Sequence, residues 1–161
     1  MAKKKKKNKE TLLVATDFSR FSEEALIFAG NLAVKLGAKL LVLHVIHDPA
    51  EAPGFYVKKM KKKKFLHSME EAANEMMEAF LENVKKANPD QIAIQEATPL
   101  LVVGTPVSRI IEVAEKRQAN MIIVGSHGRT GLSRALIGSK AERLVRLSPI
   151  PVIVIKSSKK T

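Results

Sequence analysis

The chain has no cysteine and no tryptophan, one tyrosine, and aromatic residues amounting to only 4% of its length. Without cysteine there are no disulfides, no thiolate nucleophile and no cysteine-based metal centre. That composition fits a reducing interior, and the cytoplasm is the expected location. With so few aromatics, the stacking platform that single-stranded nucleic acids require is missing. Long apolar runs are absent too: none approaches the roughly 20 residues that span a bilayer. The first apolar stretch, "TLLVATDFSR", turns polar after five residues, too short for the h-region of a secretory signal. Neither a membrane partner nor export is expected.

Acid is absent where base is densest. The formal net charge of +12 comes from 28 basic and 16 acidic residues. Lys3 to Lys7 with Lys9 form one acid-free run, and Lys58, Lys59 and Lys61 to Lys64 form another. With those two runs set aside, the remaining bases and acids balance. The basicity therefore belongs to two short stretches and not to a face of the fold. Runs of this kind repel themselves and stay solvated. Residues 1–10 read as a disordered lysine-rich tail, and the second run reads as a surface stretch in the connection after the second strand. Specific nucleic-acid binding is not expected, although weak, salt-sensitive attraction to polyanions would remain.

What is present is an alternation of elements. "TLLVAT" (Thr11–Thr16), "KLLVLHVI" (Lys39–Ile46), "NMIIVG" and "IPVIVIK" are short runs with no polar alternation, the pattern of strands covered on both faces. A weaker strand falls between Ile92 and Val103, and Pro99 marks it as an edge strand or a bent one. Ser19 and Ser22 begin a helix that Gly37 ends. Residues from about Lys58 to Ala87 carry an apolar helical stripe through Phe65, Met69, Ala72, Ala73, Met76, Phe80 and Val84. Thr105 with Pro106 has the chemistry of an N-cap followed by N1, and Ser139-x-x-Glu142 matches a capping box. The order β-α-β-α-β-α-β-α-β predicts one α/β domain over residues 11–161, an open parallel five-stranded sheet with helices on both faces. Strand order 3-2-1-4-5 places strands one and four together; the pattern alone also allows 2-1-3-4-5.

Ligands of open α/β sheets bind beyond the carboxyl ends of strands, where strand order reverses. The first strand ends in "ATDFS", putting Asp17 past the sheet edge. The fourth leads into "MIIVGSHGRTGLSRALIGSKAERLV", which holds four of the eight glycines in the chain. The spacing is neither G-x-x-x-x-G-K-[ST] nor G-x-G-x-x-G. It consists of a glycine hinge leaving a strand, a polar loop, and Gly138-Ser139 starting a helix. A helix N-terminus offers unpaired N–H groups and about half a positive charge, so an anion such as a nucleotide phosphate suits it. The plainer alternative is an ordinary turn and cap, with Asp17 capping the first helix.

Gly125-x₂-Gly128-x₉-Gly138-Ser139 resembles the nucleotide signature of the ATP-binding branch of the universal stress protein family. "LLVATDFS", "LLVLHVI", "GTPVSRIIEVAEKRQANMIIVGSHGRTG" and "SPIPVIVIK" are similar to other parts of that family. The resemblance implies a Rossmann-like fold and a site for ATP. Ala15, Thr16 and Asp17 would line the nucleoside pocket, and Val45 would read the adenine edge through its backbone. Gly125, Ser126, His127, Gly128, Arg129, Thr130 and Gly131 would wrap ribose and phosphates. Ser139, Lys140 and Ala141, next to Gly138, would supply donors to the phosphate chain. Mg²⁺ would ride on the phosphates, and a homodimer would form through the last strand, Pro151 to Ile155. His44 reads as a packed or hydrogen-bonded strand residue. His127 reads as a phosphate or solvent contact, and Arg129 as a phosphate partner or a loop decoration. The chain shows neither a residue to orient an attacking water nor a protein-held metal. The expected role is therefore a nucleotide-binding regulator in the stress response, not an enzyme, with at most slow ATP hydrolysis. The competing reading is a nucleotide-independent interaction module whose lysine runs hold an acidic partner or nucleic acid.

Overall fold

The computed structural model describes residues 9–48, 59–128 and 137–157; the tail at 1–8, Lys58 and the loop positions Arg129, Thr130 and Gly131 lie outside them. The elements run β1 (Thr11–Ala15), α1 (Arg20–Leu36), β2 (Lys39–Ile46), α2 (Lys59–Ala87), α3 (Ile92–Gln95), β3 (Thr98–Val103), α4 (Pro106–Lys116), β4 (Met121–Gly125), α5 (Ser139–Leu147) and β5 (Val152–Ile155). The strands form one sheet in the order β3-β2-β1-β4-β5, and every pairing is parallel. This is the 3-2-1-4-5 order.

Continuously apolar strands are explained by cover on both sides. Successive side chains of a strand point to opposite faces, so Leu12 and Val14 join one core with Ala25, Leu26 and Ala29 of α1 and Met77, Phe80 and Leu81 of α2. Leu13 points the other way, into a second core with Val113 and Ala114 of α4 and Ala141 and Leu144 of α5. All three β1 side chains are fully buried, which favours folding by roughly 1.5–3 kcal/mol each. A polar residue at any of them would face an apolar layer.

Local chemistry sets the helix ends. Ser19 is extended at φ −79°, and its hydroxyl accepts from the Ser22 amide as an N-cap. Gly37 closes α1 at φ 63°, a left-handed conformation that glycine adopts without a Cβ clash. Pro106 occupies the first turn of α4 after Thr105 at the cap position.

Three expectations need correction. The region before β3 contains the single-turn helix α3, because Ile94 turns into the core against Gly30 of α1. The second lysine run opens α2, which begins at Lys59 where the pattern puts the helix from about Lys58. The buried stripe of α2 runs through Ala73, Met77, Phe80, Leu81 and Val84, while Phe65 and Met76 are exposed. At 29 residues the helix is about 43 Å long, well beyond the length of its neighbouring strands, so its first turns have no sheet to pack on. Finally, Ser139 is not a capping-box residue. The N-cap of α5 is Gly138, which has no side chain to cap the first turn, and its amide is bound to the Ser126 carbonyl, 2.6 Å away.

Candidate functional site

The two neighbouring strands at which the order reverses are β1 and β4. Their register sets Ala15 opposite Val124, so Thr16 and Asp17 leave the sheet beside Gly125 and Ser126. Val45 belongs to the other flank, two residues past Leu43, the partner of Ala15. The carboxyl ends of β2, β1 and β4 thus share one edge.

The β1 exit is fixed by short polar contacts. The Thr16 amide donates to the Leu43 carbonyl at 2.8 Å. Its buried hydroxyl donates to Ser22 Oγ at 2.9 Å and accepts from the Phe18 amide at 3.0 Å. Thr16 is therefore spent on holding the turn. Asp17 Oδ1 accepts from the Ser19 amide at 3.1 Å, an Asx turn that organises the start of α1. Between these residues Phe18 adopts φ 65°, a left-handed conformation that costs an L-residue with a Cβ roughly 1–2 kcal/mol. Its ring lies 4.2 Å from the His44 ring and 5.7 Å, edge-on, from Phe80. His44 Nδ1 donates to the Thr16 carbonyl at 2.8 Å, so His44 is a hydrogen-bonded, packed strand residue.

Across from this turn the glycines have separate tasks. A Cβ on Gly125 would stand 2.7 Å from the carbonyl carbon and oxygen of Phe21; this glycine lets α1 lie close on β4. A Cβ on Gly128 would stand 2.9 Å from Asp17 Oδ2, so the bare backbone here makes room for that carboxylate. A Cβ on Gly138 would stand 3.1 Å from the Ser126 carbonyl oxygen and 3.5 Å from His127 Cα. The start of α5 is thereby pressed against the end of β4.

The side chains of the β4 exit face inward. Ser126 is 1% exposed; its amide donates to the Ile155 carbonyl, and its Oγ stands 2.9 Å from His127 Nδ1. The His127 ring leans on Phe21 at 5.3 Å, and the Arg20 guanidinium lies 5.4 Å from the centroid of the same ring. Ala141 buries its methyl in the second core, which leaves only its amide for a ligand. Glu142 is the first residue of α5 whose amide bonds back, to the Gly138 carbonyl at 3.0 Å. The amides of Ser139, Lys140 and Ala141 are the first-turn donors that a helix cannot satisfy internally, and the side chains of Ser139 and Lys140 are exposed.

Chemically, this edge offers three amides with a helix dipole behind them, a carboxylate and a hydroxyl. It suits a polyol carrying a phosphate. Among the described residues no group of three or more His, Asp or Glu is placed to hold a metal ion. Phe18 and Phe21 were invisible as site residues in the sequence, because neither a positive φ nor a helix–strand contact leaves a spacing signature. The "TDFS" turn, with a bulky residue where glycine would be easy, was the available hint.

A profile of the universal stress protein family matches residues 9–156. Universal stress protein MJ0531 of Methanocaldococcus jannaschii is 33% identical over 155 residues, covering 92% of this chain and 83% of that protein. Universal stress protein MJ0577 of the same organism is 30% identical over 162 residues, covering 90% of this chain and 93% of its own length. Its solved structure superposes with a TM-score of 0.71, covering 94% of this chain and 98% of that one. A universal stress protein from Archaeoglobus fulgidus, solved in complex with dAMP, shares the fold at 23% identity and a TM-score of 0.60, over 91% and 98% of the two chains. Fold, profile and relatives agree: the chain belongs to the universal stress protein family.

Proposed function

We propose that this chain binds an adenine nucleotide, ATP in the first instance, at the β1–β4 edge, and acts as a dimeric, nucleotide-responsive regulator in the stress response. One observation carries the reading. At the reversal of strand order, the first-turn amides of Ser139, Lys140 and Ala141, which a helix cannot satisfy internally, begin immediately after a glycine pressed against Ser126 and His127. Phosphate oxygens would accept from those amides, with the hydroxyl of Ser139 and the ammonium of Lys140 beside them. Asp17 would accept from ribose hydroxyls, and the backbone of Val45 would meet the base. Arg129, Thr130 and Gly131 would complete the loop over the phosphates. That this fold takes an adenine nucleotide in the Archaeoglobus fulgidus relative, solved with dAMP, is in keeping with the proposal. Mg²⁺, where used, would be held on phosphate oxygens. Binding and not turnover is the proposed role.

The dimer would form through β5. Among the described residues this edge strand pairs only with β4, and its four residues are half-buried. An open apolar edge favours pairing with another strand.

The experiment is direct. Denaturing the purified protein should release an adenine nucleotide identifiable by absorbance and mass. The backbone of Gly138 is extended at φ −70°, ψ 151°, which any residue adopts, while a Cβ there would stand 3.1 Å from the Ser126 carbonyl oxygen, so circular dichroism of Gly138→Val must first show an intact fold. Its branched side chain would occupy the phosphate approach, and ATP affinity should fall at least tenfold. Unchanged affinity in that variant would refute the site.

A further inference from the structure

Phe18 combines two features that do not ordinarily coincide. Its backbone is in the left-handed region, at φ 65°, where glycine sits freely and a bulky side chain does not. Its ring is nevertheless seated between two others, 4.2 Å from His44 on β2 and 5.7 Å from Phe80 on α2, and packs on the first core. The turn itself needs only the backbone conformation, which glycine would give at lower cost. The ring therefore serves something beyond chain reversal.

Phe18 is the middle residue of the Asx turn in which Asp17 Oδ1 accepts from the Ser19 amide at 3.1 Å. The direction of that amide depends on the φ and ψ of residue 18, and so does the orientation of the carboxylate it holds. The other oxygen, Oδ2, is the atom standing 2.9 Å from the position of a Cβ on Gly128. The Phe18 amide is also tied, to Thr16 Oγ1 at 3.0 Å. His44, which stacks on the ring, donates to the Thr16 carbonyl at 2.8 Å. Ring, imidazole and hydroxyl thus all hold one short turn.

We propose that Phe18 is a positioning residue: its ring, seated between His44 and Phe80, locks the left-handed turn that aims the Asp17 carboxylate across the edge toward Gly128. The inference rests on the nucleotide reading for its functional consequence, but its structural half stands apart from any ligand. Because Phe80 belongs to α2, the same ring links the outer helix to the site. A disturbance of α2 near Phe80 would reach Asp17 through a single side chain.

Three variants separate positioning from simple stability. Phe18→Gly relieves the backbone strain and removes the ring; Phe18→Ala removes the ring and keeps the strain; Phe18→Leu keeps an apolar anchor. Amide hydrogen exchange on the full chain without added nucleotide reads the turn directly. The Ser19 amide should exchange at least tenfold faster in Phe18→Gly than in the unaltered protein, while Leu13 in β1 keeps its protection. ATP titration should show at least a tenfold loss of affinity in Phe18→Gly and most of that affinity regained in Phe18→Leu. If Phe18→Ala does not fold, the Gly and Leu pair carries the comparison. Equal Ser19 exchange in the Gly variant and the unaltered protein would overturn the positioning role. If the unaltered protein binds no adenine nucleotide while Ser19 exchange responds as expected, the nucleotide reading fails and the clamp stands. If ATP binds equally well to the unaltered protein and to Phe18→Gly, the nucleotide reading stands and the inference fails.

Discussion

Gly125, Gly128 and Gly138 are equivalent as letters in a signature and different as physical objects. Gly125 faces backbone: a methyl there would meet the carbonyl carbon and oxygen of Phe21 at 2.7 Å. Backbone of a packed helix cannot swing aside, so α1 would have to move, at about 1–3 kcal/mol for overpacking of this kind. A methyl at Gly128 would meet the far end of the Asp17 side chain at 2.9 Å, which can turn aside at the expense of the bond that Oδ1 accepts from the Ser19 amide. Gly125→Ala should therefore lower the melting temperature and Gly128→Ala should hardly change it. In nucleotide titration the order reverses: Gly128→Ala displaces the carboxylate and should weaken binding, even though the fold is intact. Thermal melts and titrations on the two variants decide this, and a Gly128→Ala protein that melts early with normal affinity would contradict the assignment. The sequence marked all three positions, since their spacing is readable, but what each glycine faces is set by contacts with residues far away in the chain.

At the scale of elements, α1 shows how local chemistry was readable and where it stopped being so. Its Ser19 cap and Gly37 terminator were both legible, because capping acts within a few residues of the chain. Ser19→Ala should cost about 0.5–2 kcal/mol, a fall in melting temperature of roughly 2–4 °C per kcal/mol for a chain of this size. Differential scanning calorimetry measures it, and an unchanged melting temperature would mean that the Ser22 amide finds another acceptor. For α2 the pattern misleads. Phe65 and Met76 continue its apolar stripe, yet they are 49% and 40% exposed: Phe65 lies before the first buried position among the described residues, Ala73, and Met76 stands one residue off the face that Ala73, Met77 and Phe80 bury. The capping box at Ser139 misleads as well. Its residues have the right spacing, but the N-cap is Gly138, whose amide is bound to Ser126 across a loop that local reading cannot close.

For the whole molecule, the open edge at β5 is the feature with consequences. The carbonyls of Pro151 and Ile155 accept from Ile122 and Ser126 on the β4 side, so the intervening Val152 and Val154 turn their amides toward the free edge. Proline at an edge position removes an outward donor without breaking the inner ladder. Val154→Pro should convert the proposed dimer to a monomer and leave the circular dichroism of the fold intact. Sedimentation velocity reports the change; a dimer that survives the substitution would place the interface elsewhere. Among the described residues no helix is long and apolar enough to cross a membrane.

The amino-acid order by itself determined the alternation of strands and helices, the burial of β1 and β4 on both faces, and the clustering of glycines and hydroxyls after β4. These follow from hydrophobic patterning and local backbone chemistry, which act over a few residues. Two strand orders were compatible with that pattern, and only the tertiary structure decided between them, by laying β4 beside β1. The same step made a site out of separate segments. Asp17 and Gly128 are more than a hundred positions apart, and the closeness that would leave a Cβ on Gly128 only 2.9 Å from Asp17 Oδ2 depends on parallel pairing across the middle of the sheet. The strain at Phe18 belongs to that level too, since a left-handed phenylalanine persists only where His44 and Phe80, brought in from other elements, give its ring a place to rest.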